Sequence, residues 1–207
     1  IDDFGKTALY YSVSYRRPDI TKLLLDRGVR VDGVYIGGLS FHMAVERNSI
    51  SIIRALSAAG HSPNKVGKSG MTPLDSALKG KLFGTALALV ECGAKDVVLK
   101  GEAGKTALHL ALKHGQAKLA MALINKGADW SVKCKNECTA LHYAARDNLL
   151  DVISLLIEKG AKVDAKDRFM RTPLHNAKSG RQKKAVKLLI EKGADVKAKD
   201  AFGHTAQ

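Results

Sequence analysis

Four histidines are the first candidates for chemistry in this sequence: His42, His109, His142 and His175. The last three each follow Thr-Ala-Leu or Thr-Pro-Leu and are 33 residues apart. Imidazole groups can bind zinc or transfer protons, but every ligand of a zinc ion must lie about 2 Å from it. Equivalent positions on neighbouring packed helices are roughly 10 Å apart. The spacing therefore argues against a shared metal ion, and we predict no metal site.

Two other patterns could carry chemistry. Cys134 and Cys138 have the spacing of half a metal site, but no second Cys/His pair lies nearby in sequence, so we predict a thiol pair in a turn. The stretch 65–70, Lys-Val-Gly-Lys-Ser-Gly, has the composition of a phosphate loop without its spacing. We find no nucleophile elbow, HExxH helix or paired carboxylates outside the repeat pattern. The sequence predicts no enzymatic activity and no cofactor.

These residues belong to a repeat that runs along the whole chain. One marker is a threonine, replaced once by leucine, that returns every 32 to 34 residues: Thr7, Leu39, Thr72, Thr106, Thr139, Thr172 and Thr205. A second marker keeps the same phase: Gly28, Gly60, Gly93, Gly127, Gly160 and Gly193. Two markers locked together over six periods indicate a repeat architecture.

The Thr-Pro/Ala-Leu-His phrase and the Leu-Leu-x-x-Gly-Ala phrase resemble the ankyrin repeat over essentially all 207 residues. The resemblance implies an all-α fold, an ankyrin-repeat solenoid of helix-turn-helix units with projecting β-hairpin fingers, with about six repeats and a truncated seventh. We expect one domain, with repeats at approximately 1–33, 34–66, 67–100, 101–133, 134–166, 167–199 and a partial 200–207. Since the chain begins inside a hairpin phrase and stops inside another repeat, we expect a fragment of a longer array.

Local chemistry within each unit agrees with this fold. Thr72 and Thr172 are predicted N-caps, followed by Pro73 and Pro173 at the first helical position, where proline loses no hydrogen bond. The glycine marker should end each outer helix in the left-handed conformation. The resemblance implies that the repeated histidine bonds the backbone of the adjoining finger.

Apolar residues of the outer helices should be buried between units. This expectation covers Leu23-Leu24, Leu155-Leu156-Ile157 and Leu188-Leu189-Ile190, while Ala111, Ala144 and Ala177 should let the inner helices pack closely. Trp130 takes a place usually held by valine, where we expect structural packing rather than binding.

The resemblance also implies a concave recognition face, built four, three and one residues before the marker threonine and seven and eight after it. These positions hold ten Lys or Arg and four Asp or Glu, a net charge of +6. The predicted partner-binding residues are Phe4, Lys6, Tyr15, Tyr35, Ile36, Arg47, Lys68, Met71, Lys79, Lys105, Lys113, His114, Lys135, Arg146, Arg168, Phe169 and Arg171.

Charge guides the functional hypotheses, since the chain carries a formal net charge of +14. The leading hypothesis is a protein–protein interaction scaffold that binds an acidic or acidic–apolar partner segment on this basic face. The first alternative is an anion-binding surface for nucleic acid, nucleotide or phosphoinositide, because residues 160–207 hold 12 Lys or Arg against 5 Asp or Glu. The second is a spacer within a larger ankyrin-bearing channel, toxin or effector.

Composition sets the remaining expectations. No run of about 18 apolar residues occurs, so we predict no membrane span. Three cysteines without a secreted-framework spacing indicate a reducing compartment. We therefore expect an intracellular, cytoplasmic location, with nuclear protein and secreted effector as alternatives, and a monomer with neighbouring repeats in the full-length chain.

Overall fold

The computed structural model describes residues 2–3, 6–29, 39–67, 69–95 and 104–206. Contacts between residues divide the chain into two compact units, Ile1–Lys95 and Asp96–Gln207. The described part of each unit consists of three pairs of helices, a short inner helix followed by a longer outer one. The predicted all-α helix-turn-helix fold is confirmed. That all six pairs form one domain remains a prediction.

Helices of the first unit alternate between seven or eight residues and nine. They are α1 Ala8–Ser14, α2 Pro18–Asp26, α3 Leu39–Glu46, α4 Ile50–Ala58, α5 Pro73–Lys79 and α6 Phe83–Glu91. The inner helices α1, α3 and α5 pack side by side, and so do the outer helices α2, α4 and α6.

Helices of the second unit repeat this arrangement. They are α7 Ala107–Lys113, α8 Ala117–Asn125, α9 Ala140–Arg146, α10 Leu150–Glu158, α11 Pro173–Ser179 and α12 Lys183–Glu191. Each inner helix packs on its own outer helix, and α9 packs on both neighbouring inner helices, α7 and α11. The core is therefore a strip shared between neighbours, as expected of repeat proteins.

The predicted caps are confirmed. Thr72 and Thr172 are the N-caps of α5 and α11, each with proline at the start of the helix. In α5 the capping box is closed by Asp75, whose backbone N–H donates to Thr72 Oγ1 at 3.1 Å and whose carboxylate accepts from Thr72 N–H at 2.8 Å. In α11 the same place is held by His175.

Outer helices end as the glycine marker predicts. Gly193 has φ of 92°, a conformation that residues with a Cβ rarely adopt. Its N–H donates to Ile190 O at 3.0 Å, and the N–H of Ala194 donates to Leu189 O at 2.9 Å. These two bonds form a Schellman motif that satisfies carbonyls at the end of the helix.

Burial of the predicted core residues is only partly as expected. Ala111, Ala144 and Ala177 are fully buried between inner helices, as predicted. Leu23 and Ile190, by contrast, are 53% and 45% exposed, so their predicted burial is wrong. Leu23 lies on α2 and Ile190 on α12, and within the described residues each of these helices packs on one neighbouring outer helix, whereas α4 packs on two.

The fingers that the structure describes in full are closed by turns rather than by extended strands. In the last two described fingers, Asp167 N–H donates to Arg171 O at 3.0 Å and Asp200 N–H to His204 O at 2.9 Å. An isolated antiparallel bridge joins Lys199 and Thr205 at the base of the last one. The β-hairpin pairing is therefore short.

Candidate protein-interaction surface

Each repeated histidine fastens a finger to the inner helix before it. In α9, the N–H of Thr139 donates to His142 Nδ1 at 3.2 Å. Because Nδ1 accepts this bond, the ring proton lies on Nε2, which donates to Arg171 O at 3.0 Å. Arg171 is the last residue of the next finger. One neutral imidazole thus caps its own helix and positions the following finger.

The other histidines of the series make the same contact. Nε2 lies 3.0 Å from Met71 O for His42, 3.3 Å from Cys138 O for His109, and 3.1 Å from His204 O for His175. The predicted structural role is confirmed. Burial lowers the pKa of His109 and of His142, so both are neutral in the folded chain near neutral pH.

A buried carboxylate organises the finger at residues 167–171. Asp167 accepts the backbone N–H groups of Phe169 and Arg171 at 2.8 and 3.0 Å. It also accepts Nε and Nη2 of Arg171 at 2.9 and 2.8 Å. Burial alone would raise the pKa of Asp167, but these bonds and the guanidinium charge together lower it. The Arg171 side chain is thereby held at one place on the surface.

The preceding finger, residues 134–138, carries the two neighbouring cysteines. Cys134 N–H donates to Cys138 O at 3.1 Å, and the Cys134 thiol lies 3.6 Å from the Tyr143 hydroxyl. Both thiols are free, so the predicted thiol pair in a turn is confirmed. Burial and the neighbouring Cys134 and Asp167 raise the pKa of Cys138 to about 11, so this thiol adds no negative charge near neutral pH.

A cavity of about 220 Å³ lies between α9 and α11. Arg146 and Tyr143 line one side, with the guanidinium carbon 5.4 Å from the centre of the Tyr143 ring. Arg171 comes from the finger at residues 167–171, and Asn176 and Ser179 come from α11. The lining therefore combines two guanidinium groups, an aromatic ring and neutral hydrogen-bonding groups.

Gly180 lets the two inner helices approach at the end of this cavity. A Cβ at Gly180 would lie 2.6 Å from Arg146 O, closer than real Cβ contacts. Arg146 itself donates from Nε and Nη2 to the two carboxylate oxygens of Asp147, both at 3.0 Å. Its position is thus held by a neighbour on the same helix end.

Aromatic surface continues beyond the cavity. Phe169 is 39% exposed. The guanidinium carbons of Arg171 and Arg168 lie 5.0 and 5.7 Å from the centre of its ring. Arginine stacked on an exposed aromatic ring is a composition enriched in binding hot spots.

The second unit brings several predicted binding residues together. Arg146 and Arg171 line the cavity, and Arg168 and Phe169 lie on the adjoining finger. Lys113 is exposed at the end of α7, the inner helix beside α9. The remaining predicted residues of this unit are exposed Lys135 and half-buried Lys105 and His114.

The first unit is described separately. Tyr15 is 71% exposed and stacks on Tyr11, and Arg47 is exposed with Nη2 at 3.4 Å from Ser14 Oγ. Lys79 is exposed at the end of α5. Lys6 and Met71 are half-buried. The predicted residues Phe4, Tyr35, Ile36 and Lys68 lie outside the described residues.

Sequence reasoning missed three residues of this site. Tyr143 and Asn176 lie four positions after Thr139 and Thr172, outside the five positions used to define the recognition face. Asp167 lies five positions before Thr172. Aspartate also occupies that position at Asp2 and Asp200, and this recurrence was the signal that could have identified the carboxylate of the finger.

Comparison with known families agrees with this geometry. A model described as "Ankyrin repeats (3 copies)" matches residues 86–167 and 123–200, which together make up more than half of the chain. Models described as "Ankyrin repeats (many copies)" and "Ankyrin repeat" match residues 41–90 and 4–34. The chain belongs to the ankyrin repeat family. Domains of this family are generally protein-interaction modules without enzymatic activity.

Individual relatives contain this repeat within proteins of different kinds. The chain is 34% identical over 92 residues to human transient receptor potential cation channel subfamily A member 1, which is 44% of this chain and 8% of the channel. It is 34% identical over 134 residues to the chicken nuclear factor NF-kappa-B p105 subunit, 62% of this chain and 14% of that subunit. The chain thus spans a small part of these relatives.

A solved structure is similar over nearly the whole chain. The ankyrin repeat domain of Bcl-3, a member of the IkappaB protein family, matches with a TM-score of 0.69 and 26% identity. The match covers 98% of this chain and 92% of that one.

Two further observations concern the described residues. Within those ranges, no helix is long and apolar enough to cross a membrane. Nor does the described part of the chain hold a group of three or more His, Cys, Asp or Glu side chains placed to bind a metal ion.

Proposed function

We propose that this chain is a protein-interaction domain that binds an acidic or acidic–apolar segment of another protein through the second unit. The observation that carries the proposal is the cavity between α9 and α11, with Arg146, Arg171 and Tyr143 in its lining. A carboxylate of the partner would enter between the two guanidinium groups. We place the chain in the cytoplasm as a monomer that acts by binding rather than by catalysis.

Both arginines are held in position and still have donors to offer. Arg146 uses Nε and Nη2 on Asp147, and Arg171 uses the same two nitrogens on Asp167. The Nη1 groups remain for a ligand, since guanidinium carries five N–H donors. A side chain already fixed by a neighbour loses little conformational entropy on binding.

The carboxylates of Asp147 and Asp167 reduce the net positive charge of this site. The proposed attraction of an acidic partner therefore depends also on the lysines of the second unit. Lys113 on α7 and Lys135 on the finger before α9 are exposed. Exposed charges of one sign raise the association rate of an oppositely charged partner more than they raise affinity. Phe169, stacked by two arginines, offers the apolar contact.

The first unit has its own exposed residues among those predicted to bind a partner, and we propose them as a separate contact surface. They are Tyr15, Arg47 and Lys79.

The test uses two double variants of equal charge change. Arg146→Glu with Arg168→Glu alters the proposed surface, and Lys183→Glu with Lys184→Glu alters exposed lysines at the start of α12. Peptides selected from a displayed library for binding to the unaltered chain are titrated against each variant by fluorescence anisotropy.

We expect the selected peptides to be rich in Asp, Glu and apolar residues. The first variant should weaken their binding by at least about tenfold, and the α12 variant by less than about twofold. Selection of neutral or basic peptides, or equal effects of the two variants, would contradict the proposal.

A second candidate function rests on α12. Arg181, Lys183, Lys184 and Lys187 are all exposed at or within this helix, and Lys187 has one carboxylate neighbour, Glu191, at 3.8 Å. Such a cluster could bind phosphate groups of a nucleic acid or lipid. Loss of RNA or anionic vesicle binding in the α12 variant, with a steep dependence on salt, would favour this function because phosphate contacts release counterions.

A further inference from the structure

A second cavity, of about 300 Å³, lies elsewhere in the second unit. It opens where the loop after α8 meets the loop after α10, and it shares no lining residue with the cavity between α9 and α11. Trp130, Leu141, Ala161 and Ala165 give it a mainly apolar lining. The exposed residues Ser131, Lys133 and Lys162 form its rim.

This cavity occurs where a bridge between two loops is missing. In the first unit, Asn64 Oδ1 accepts the N–H of Lys95 at 2.9 Å. In the second unit, Asp164 Oδ1 accepts the N–H of Asp195 at 3.1 Å. Each bridge joins residues 31 apart and ties one loop to the loop of the next repeat.

The equivalent pair at the cavity is Ser131 and Lys162, and it is not bridged. Ser131 instead donates from Oγ to Asp129 Oδ1 at 2.6 Å, within its own loop. Among the described residues, the Lys162 N–H makes no hydrogen bond. A backbone donor is therefore left at the rim of an apolar cavity.

Trp130, which lines this cavity, also differs from the residues at the same position in the following repeats. The following repeats have Val163 and Val196 at the same distance after the marker glycine. The indole of Trp130 is half-buried and lines the cavity instead of filling it. The sequence predicts structural packing for Trp130, and in the structure its side chain also lines an open cavity.

From these observations we propose that the cavity binds a small amphipathic anion, an apolar body carrying one carboxylate. The apolar body would lie against Trp130 and Leu141. The carboxylate would accept the N–H of Lys162 and face the ammonium groups of Lys162 and Lys133. Lys133 also contacts Glu137 at 3.4 Å, an exposed pair that a ligand carboxylate can compete with.

The volume and the lining of this cavity fit such a ligand. Small-molecule sites are concave and mostly apolar, with a few placed polar groups, and begin at about 300 Å³. Buried apolar area would supply most of the binding free energy, and the lysines would select for the anion. This site is independent of the proposed protein-interaction surface.

The chain contains a single tryptophan, which gives a direct readout. Its indole N–H produces one cross-peak in a ¹H–¹⁵N correlation spectrum, and that peak is followed while octanoate is added. Octanol is the matched probe because it has the same alkyl length without the charge. We expect a saturable shift with octanoate and binding of octanol weaker by at least about tenfold.

Three variants locate the site. Ala165→Leu fills the cavity, and Ala198→Leu makes the same change one repeat further on. Ser131→Asp, at an exposed position, supplies the missing carboxylate for the Lys162 N–H and puts a negative charge on the rim. We expect about tenfold weaker octanoate binding for Ala165→Leu and for Ser131→Asp, and less than about twofold change for Ala198→Leu.

Three results would each overturn the proposal. The first is the absence of a saturable shift with octanoate. The second is equal binding of octanol. The third is unchanged octanoate binding in Ser131→Asp, a surface variant that tests the site even if Ala165→Leu does not fold.

Discussion

Two neighbouring fingers of the second unit, residues 134–138 and 167–171, have the same backbone and different side chains. Each closes with an N–H to O bond between its first and last residues, at 3.1 and 3.0 Å. Each has a non-glycine residue in the left-handed region, Glu137 and Met170, both with φ of 58°. The path of the finger is therefore independent of its first side chain.

The first side chain decides how the finger is held. Asp167 binds two backbone N–H groups and the Arg171 guanidinium. Cys134 contacts the Tyr143 hydroxyl at 3.6 Å, and a thiol is a weak hydrogen-bonding group. Asp167 therefore has two roles that Cys134 lacks: it stabilises its finger, and it positions an arginine of the proposed surface.

The largest effect is expected from Asp167→Asn. The amide keeps the shape of the carboxylate but loses the charge, and its NH₂ group would face the guanidinium of Arg171. We expect the free energy of unfolding in urea to fall by about 2–3 kcal/mol, because a buried charged acceptor is lost and partly exposed Arg171 can still be solvated.

Asp200→Asn is the matched control. Asp200 occupies the same position in the last finger and accepts the N–H groups of Phe202 and His204, without an arginine. We expect it to lower the free energy of unfolding by less than about 1 kcal/mol. Equal losses in the two variants would mean that Arg171 adds nothing to the stability of its finger.

Repeat-level features of these fingers could be predicted from the sequence. Thr139 and Thr172 mark both helix starts, and the histidine three residues later bonds the next finger in both, because the local chemistry recurs with the repeat. The sequence is strongly periodic at positions where every repeat packs against its neighbours in the same way.

Features that differ between repeats could not be predicted. The cavity between α9 and α11 depends on Tyr143 and Asn176 at the same position of two adjacent inner helices, a combination that no other neighbouring pair of repeats has. The apolar cavity beside Trp130 depends on Ser131 bonding within its own loop. Such contacts depend on which side chains meet across two repeats, and a single sequence carries no marker for them.

The next largest expected effect is a loss of unfolding free energy at acidic pH, caused by the histidines that hold both fingers. His109 and His142 hold the two fingers as neutral rings, and burial lowers the pKa of each. The unfolded chain then binds more protons than the folded chain below about pH 6.5. This stability is fully present above that pH and is lost as the pH falls, by at most about 1.4 kcal/mol per histidine between pH 7.5 and 5.5.

Urea unfolding at the two pH values measures this loss. His109→Gln and His142→Gln should each reduce the loss of unfolding free energy between pH 7.5 and 5.5 by the contribution of one histidine. This expectation holds whatever each substitution does to the stability at pH 7.5. A pH dependence that survives both finger variants would show that other groups cause it.

The smallest effect, about 1 kcal/mol, is expected from converting one finger into the other with Cys134→Asp. The new carboxylate should accept the N–H groups of Asn136 and Cys138, as Asp167 accepts those of Phe169 and Arg171. The gain stays small because position 138 holds a cysteine and not an arginine. Cys134→Ser, which changes the thiol to a hydroxyl without adding charge, should alter the free energy of unfolding by less than about 0.5 kcal/mol.

Acid provides the decisive check of that gain. Hydrogen bonds from backbone N–H groups lower the pKa of a carboxyl in the folded state, so the added stability exists above the unfolded value of about 3.9 and is lost as the pH falls below it. Urea unfolding of Cys134→Asp should therefore show greater stability than Cys134→Ser at pH 7, with the difference shrinking below about pH 4. A destabilised Cys134→Asp would mean that the cost of burying the carboxylate outweighs its hydrogen bonds to the backbone of this finger.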